Sequence, residues 1–390
     1  MPTQRIIILF ILCWCYFVLP AQNATKKEVV EQESLKLYYA EQWPELLHYG
    51  KAVIRSGVDY PFLRMRVGYA ALMQGNYSES LKHYTHALHT DKKDATALYY
   101  TYLNQRYLEN TLASRYYGSK MSESYKKMLK LKKYSISSAA LLYSFKYPTL
   151  DIRHNAHYGS VSLLVNLGYR FSLQQVIGYF NQTISEPQFL YVTDNQNIVI
   201  KQKEYYAKLN FAASGAITFI GGYHYIKTPF NNYSYRNQLG FGGVKYVLPY
   251  VQIQGMIHLG TLSDTAYRQA DLSITVYPKG NTDLYLISRA AYGNQFTLTQ
   301  IAGIKLMKYT WIEGNVTLGK YKVLLDNEDL YLFNDIDTKT FKVGGTIYYL
   351  VAKKALVSIN YIFENKQQYG GTVGTNFYQH STTIGIQWNF

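Results

Sequence analysis

Cysteine is nearly absent from this chain of 390 residues: Cys13 and Cys15 are the only two, and both lie in an N-terminal apolar run. If that run is removed, no thiol remains, which excludes disulfides, a thiolate metal site and a cysteine nucleophile together. Charge is also scarce, at 17% of residues, and there are only nine prolines. After Leu19 no apolar stretch approaches the roughly 20 residues that a membrane helix needs. Acidic residues are fewer than basic ones, 25 against 40, for a formal charge of +15. Tyrosine is abundant instead: 42 of them, with 17 Phe and 4 Trp, at a mean hydropathy of −0.19. That composition suits either a soluble β-rich protein or a barrel wall whose aromatics sit at the two membrane interfaces.

The N-terminus reads as an export signal. Arg5 supplies a positive start, Ile6 to Leu19 is uncharged and apolar, and Pro20-Ala21 precedes a plausible cleavage site before Gln22. The run is too short to serve as a membrane anchor. Leu12 and Trp14 precede the cysteines, where lipoprotein processing wants a small residue. The expected organisation is therefore a signal peptide at 1–21, a helical domain at 22–132 and a β-domain at 133–390.

Residues 27–132 contain almost no alternating segments and read as helices. Gly68, Gly75, Tyr77, Tyr84 and Ala87 fall in a spacing that resembles the tetratricopeptide repeat (TPR), a helical hairpin of 34 residues. A shift of 34 residues puts Trp43 on the place of Tyr77, and a third, degenerate copy covers roughly 95–132. Arg64, Ser80 and Lys92 depart from the repeat pattern. The resemblance implies a protein-binding module whose repeats bury their apolar faces against one another.

From about 133 the period becomes two. Val161, Leu163, Val165 and Leu167 oppose Ser160, Ser162 and Asn166; Ala270, Leu272, Ile274 and Val276 oppose Gln269, Asp271, Ser273 and Thr275. One apolar and one polar face fits a lipid-facing wall around a wet lumen, or a soluble sheet. Loop lengths discriminate. Strands near 134–146, 155–168, 171–184, 199–211, 216–228, 235–247, 249–261, 265–276, 281–293, 296–307, 310–322, 338–351, 355–366 and 378–390 leave tight connections on one edge. The longer connections, 147–154, 185–198, 229–234, 323–337 and 367–377, all fall on the other. Short periplasmic turns and longer outer loops are the transmembrane-barrel pattern. The parity requires the segment at 134–146 to be a strand and gives a count of fourteen, with twelve as the fallback.

The segment Thr383-Ile384-Gly385-Ile386-Gln387-Trp388-Asn389-Phe390 matches an outer-membrane assembly signal through Thr383, Gly385, Trp388 and the terminal aromatic Phe390. It implies the barrel assembly machinery as a partner. The fold class expected is thus α+β multidomain, a short TPR-like segment followed by an antiparallel barrel in a Gram-negative outer membrane. The whole arrangement resembles the YaiO-like outer-membrane proteins with appended repeats, and more distantly the polysaccharide-export porins. That resemblance implies a periplasmic TPR domain and carries over no catalytic or selectivity residue.

Chemistry is sparse. His258, Asp271, Arg289, Glu313 and Lys342 are candidate lumen polar groups, with Glu204, Lys208, Lys305 and Glu364 beside them. Gln252, Gln254, Asp271 and Asn315 suit a wet pore, while Tyr206, Met256, Tyr348 and Leu350 could fill it. No phosphate-binding glycine loop and no metal-ligand spacing stands out, so neither cofactor nor metal is expected, and a catalytic role is not. The basic surplus gives no support to nucleic-acid binding in an exported protein. Lys120, Lys126, Lys127, Lys130, Lys132 and Lys133 form a cluster before the first strand, read either as a solvated helix end or as a contact with inner-leaflet phospholipid headgroups. Two functions remain: a pore or export conduit whose repeats recruit an unidentified periplasmic protein, or a non-conducting anchor that displays them to an envelope complex. A lipid-modifying enzyme is a third.

Overall fold

The computed structural model describes residues 26–185, 197–230, 233–262, 264–326, 331–352, 354–368 and 376–390. The expected signal peptide at 1–21 and most of the expected loops at 185–198 and 367–377 lie outside the described residues. The chain divides into two compact units, Met1–Leu108 and Glu109–Phe390. None of the described helices is long and apolar enough to cross a membrane.

The first unit contains α1 (26–39), α2 (Trp43–Arg55), α3 (Pro61–Met73), α4 (Tyr77–Thr90) and α5 (Ala95–Tyr107). Pro stands in the first turn of α2 and of α3, where its missing N–H costs nothing. Asn76 caps α4 by accepting from Glu79 N at 3.0 Å, and Asp94 caps α5 by accepting from Ala97 N at 2.7 Å. α3 ends on Gly75 in the left-handed region (φ +71°), with Asn76 N donating to Ala71 O at 2.9 Å to close the last turn.

The same turn recurs. Glu41, Gly75 and Glu109 all have positive φ, at +54°, +71° and +60°, and each stands 34 residues from the next. Only the middle one is a glycine. Gly68 packs its bare backbone on the next helix, where an added Cβ would meet the Tyr84 ring at 3.0 Å and His83 Cβ at 3.2 Å. Tyr84 is itself buried and stacks on Tyr100 at 4.8 Å; Ala87 is buried, and Tyr77 stacks on Tyr107 at 4.6 Å.

Four polar side chains run through this apolar unit. Arg64 Nη1 lies 3.3 Å from His83 Nδ1, His83 Nε2 lies 3.3 Å from Glu79 Oε1, and Lys51 Nζ lies 3.3 Å from the same oxygen. Arg64 can only donate, so Nδ1 is the acceptor and His83 is neutral with its proton on Nε2. Burial favours the same form by holding the His83 pKa below 6.5. The His83 hydrogen bond, and then Lys82 and Lys51, hold Glu79 far below the ordinary 4.5 despite its burial. The unfolded chain therefore binds more protons than the folded one below about pH 6.5, and stability falls as the pH drops; Glu79 adds the same sign below 4.5. Hydrogen exchange in the full-length protein is expected to show residues 78–84 losing protection between about pH 7 and pH 5, and His83→Gln to flatten that dependence. Equal protection at both values would contradict the neutral assignment.

The second unit begins with α6 (Thr111–Ser119) and α7 (Glu123–Met128) and continues as fourteen strands. These are β1 (Tyr134–Pro148), β2 (Arg153–Leu167), β3 (Phe171–Ile184), β4 (Ile198–Ala212), β5 (Ile217–Phe230), β6 (Tyr233–Val247) and β7 (Val251–Leu262), then β8 (Thr265–Val276), β9 (Leu284–Tyr292), β10 (Phe296–Met307), β11 (Thr310–Asp326), β12 (Tyr331–Ala352), β13 (Ala355–Gln367) and β14 (Asn376–Asn389). Each pairs antiparallel with its neighbours, and β14 closes on β1 from Ser138↔Asn389 to Pro148↔Gln379. The barrel is closed and the fourteen-strand count holds, including the segment from Tyr134.

Period-two alternation places the two faces. Leu141, Val161, Ile177, Ile257, Leu272, Ile304, Ile347, Ile359, Ile384 and Ile386 are exposed on the outside, while Gln269, Asp271, Lys342 and Glu364 are buried inside. The closed ladder pairs the backbone groups of the strands with one another, and an outer belt of this kind is what a wall facing hydrocarbon requires. At one end five of the six connections are turns of two to four residues, but the turn expected at 277–280 is a seven-residue connection because β9 starts only at Leu284. At the other end, the expected long loops at 147–154, 229–234 and 323–337 are shorter than anticipated, because the strands continue into them. The largest difference is at 323–337, where β11 runs on to Asp326 and β12 starts at Tyr331.

α6 sits at the short-turn end. Arg115 is buried and its Nη2 donates to Lys132 O at 2.7 Å and Gly168 O at 3.0 Å, while Asn110 Oδ1 accepts from Gln252 Nε2 at 2.9 Å. Tyr117 lies over Gly215, where a Cβ would be 2.2 Å from its ring.

Candidate functional site

The interior is the candidate site, and it is partly filled from two sides. On one half of the wall, Val176, Tyr206, Ile220, Phe241 and Met256, one from each strand β3 to β7, form a buried apolar cluster. Tyr206 and Phe241 stack at 5.7 Å. Their bulk fits because glycines face them: a Cβ at Gly222 would stand 2.2 Å from Phe241, and one at Gly243 2.3 Å from Met256 Sδ. Gly303 leaves room for Tyr285 in the same way.

On the other side, the end of β11 turns inward. Gly319 has φ +119°, which L side chains rarely adopt, and a Cβ there would meet Phe296 O at 2.5 Å. Beyond it the pairing with β12 slips twice, between Leu318, Tyr321 and Val323. Leu325 is fully buried against Leu239, Leu262 and Tyr267 of β6 to β8. Its backbone is held by side chains of the wall: Gln269 Nε2 donates to Leu325 O at 2.9 Å, and Leu325 N donates to Gln269 Oε1 at 3.1 Å.

Four of the sequence-selected residues join this contact. His258 Nε2 lies 3.0 Å from Asp271 Oδ2, and Gln269 Nε2 donates to Asp271 Oδ1 at 2.7 Å. Arg289 donates to Asp271, to Asp326 and to Leu325 O. Lys342 Nζ approaches Asp326 Oδ2 at 3.4 Å. His258, Asp271, Arg289 and Lys342 thus belong to one network with Asp326, which sits on the inward tip. Glu313 stands apart, accepting from Tyr285 OH at 2.7 Å. A second latch pairs Arg153 of β2 with Asp337 of β12 at 3.1 Å, both buried. Glu364 accepts from Gln379 Nε2 at 2.8 Å, with Lys366 Nζ 3.6 Å away. Glu204 accepts from Gln202 Nε2 at 2.6 Å and faces His224 at 3.6 Å.

Between the apolar cluster and the inward tip runs a cavity of about 680 Å³. Its charged lining is six bases and six acids: Lys146, Arg153, Arg289, Lys339, Lys342 and Lys366 against Glu204, Asp271, Glu313, Asp326, Asp337 and Glu364. The remaining polar lining is uncharged hydroxyl and amide, among it Gln254, Asn315, Thr346, Asn360 and Ser381. Tyr348 and the edge of Met256 line it as well, whereas Tyr206 is buried in the apolar cluster. Lys305 lies outside the cavity, 3.4 Å from Asp283 and 5.2 Å from the Trp311 ring centroid. Lys208 lies on β4, and Leu350 on β12 opposite Leu356 of β13. Among the described residues no group of three or more His, Cys, Asp or Glu is placed to hold a metal ion.

Sequence reasoning missed Asp326, Asp337 and Arg153 because it placed all three in loops. The only signal was the continued apolar run Val323-Leu324-Leu325 past the expected strand end. Of the residues expected to form an assembly signal, Thr383 points inward, donating to Ser144 Oγ at 2.9 Å, and a Cβ on Gly385 would meet Ser358 Oγ at 2.7 Å. Trp388 and Phe390 are exposed on the outside.

No protein-family model and no curated protein matches the chain. Among solved structures, the toluene transporter TodX of Pseudomonas putida is similar at 8% identity and a TM-score of 0.46, over 65% of this chain and 90% of that one. A FadL homologue of Pseudomonas aeruginosa is similar at 10% identity and 0.46, over 76% and 94%. The KdgM porin in complex with disordered oligogalacturonate is similar at 10% identity and 0.31, over 64% and 99%. The closed ring of fourteen antiparallel strands is read from this chain's own pairing.

Proposed function

We propose that the protein is an outer-membrane channel for small uncharged hydrophilic solutes, with TPR-type repeats on the periplasmic side that bind a protein partner. The observation that carries the channel reading is the cavity lining, where six acids and six bases leave no net sign and the rest of the polar lining is hydroxyl and amide. A charged solute would have to compete with ion pairs already made, whereas a polyol can exchange hydrogen bonds with the lining and with water. The short turns and the export-type N-terminal sequence support a periplasmic first unit, and the left-handed turn residues at 34-residue intervals support the repeat reading. Insertion by the barrel assembly machinery belongs to the same reading.

Vesicles containing the full-length protein are expected to swell in isosmotic sugars of up to about two or three rings, and to show weak anion-to-cation preference in planar bilayers. Absence of both swelling and conductance would favour the alternative of a non-conducting anchor. That alternative has its own support in the buried apolar cluster and in α6 at the short-turn mouth.

A further inference from the structure

The outward face of the barrel is apolar and, among the described side chains of its strands, carries no aspartate or glutamate. It does carry cations, and at the long-loop end they are concentrated. Lys201 and Lys203 of β4, Lys227 of β5 and Arg236 of β6 are all exposed on that face. They are also in register: Lys203 stands directly opposite Lys227, and Lys227 directly opposite Arg236. Directly opposed residues on neighbouring strands are about 5 Å apart, and like charges in that position repel. No acidic side chain of the neighbouring strands shares this face with them among the described residues.

Their depth is marked by what lies one step nearer the barrel middle. Tyr205 stands opposite Tyr225, and Tyr225 opposite Gln238. Tyr223 is exposed one step deeper still, opposite Ala207 and Gly240, while the exposed Tyr179 stands opposite Lys203 at the depth of the cations. A row of phenols with a row of cations just beyond it is the arrangement of a membrane–water interface, where tyrosines sit at headgroup level. The three opposed cations span about 10 Å, two strand spacings. An arrangement that repels itself in the free protein is stable when multivalent anions bridge it.

We propose that Lys203, Lys227 and Arg236, with Lys201, form a binding site for the phosphate groups of an outer-leaflet saccharolipid of the lipid A type, seated on the outside of β4–β6. The site rests on the same orientation as the proposed channel, with the long-loop end facing away from the periplasm. Arginine and lysine together suit clustered phosphates, one bidentate and one as a point charge.

The test uses full-length protein in detergent and three probes: bisphosphorylated lipopolysaccharide, its dephosphorylated form and phosphatidylglycerol. Retention of each is counted by native mass spectrometry. The wild-type protein is expected to retain the bisphosphorylated form, and the triple variant Lys203→Gln, Lys227→Gln, Arg236→Gln to bind it about a hundredfold more weakly. Ligand-free thermal stability of the variant should equal or exceed that of the wild type, because repulsion has been removed. Equal retention of the dephosphorylated lipid or of phosphatidylglycerol, or undiminished binding by the triple variant, would overturn the assignment. An Asp151→Cys variant, labelled in whole cells by a membrane-impermeant maleimide, checks orientation separately. Labelling without lipid retention defeats the site alone; no labelling defeats the orientation beneath it.

Discussion

Replacing Arg289 by alanine is expected to raise the conductance of the reconstituted barrel several-fold. Arg289 ties the wall to the inward tip of β11, bridging Asp271 and Asp326 and donating to Leu325 O. Its loss leaves two mostly buried carboxylates with His258 and Lys342 as their nearest bases. Removing one partner of a buried ion pair costs about 3–5 kcal/mol. Burial of the Leu325 side chain contributes only about 1.5–3 kcal/mol in the other direction. The electrostatic loss exceeds the apolar gain, so the tip is expected to leave the lumen. Leu325→Ala, which keeps the ion pairs, should change conductance less. If Leu325→Ala opens the channel and Arg289→Ala does not, the tip is held by its apolar contact and the ion pairs are secondary to it.

The second large effect concerns closure. Deleting Thr383–Phe390 removes seven of the register pairs between β1 and β14, from Ser138↔Asn389 to Ser144↔Thr383, and most of the same stretch of β13. Two strand edges would then face hydrocarbon, where each unsatisfied backbone group costs several kcal/mol. No heat-modifiable folded band is expected on cold gel electrophoresis of membranes from cells making the deletion. Phe390→Ala keeps every register pair and should leave folding in detergent unchanged while reducing the amount assembled in cells. Equal assembly of Phe390→Ala and wild type would contradict the expected role of Phe390 in an assembly signal.

Much of the barrel was legible because its information is local. Alternation such as Ala270 to Val276, interrupted by tight turns, is imposed by lipid on one side and water on the other, and each strand shows it by itself. The inward tip was not legible. Gly319 looks like any strand glycine until its φ is known, and Arg153–Asp337 joins residues 184 positions apart. Of the site, the sequence supplied the inward-facing His258, Asp271, Arg289 and Lys342 from parity alone. It could not supply their partner Asp326, because that contact depends on a kink in another strand. Along the helices the 34-residue spacing was visible through Trp43 and Tyr77, but two of the three left-handed turn residues, Glu41 and Glu109, are glutamates, so composition hid the turn that geometry repeats.

The glycines beneath Phe241, Met256 and Tyr285 have a consequence for how such a protein can change. Strand number sets the circumference of the wall, and altering it requires inserting or losing whole hairpins. The bore within that wall is set separately, by side chains lying over Gly222, Gly243 and Gly303. Single substitutions at Phe241 or Met256 can therefore widen the bore without touching one backbone pair, whereas a Cβ at Gly222 or Gly243 would also meet the neighbouring strand, at 2.6 Å from Ala207 O or 2.3 Å from Gly255 O. Diameter in this barrel is inherited as side chains, and one scaffold can yield a pore or a plugged post by point mutation.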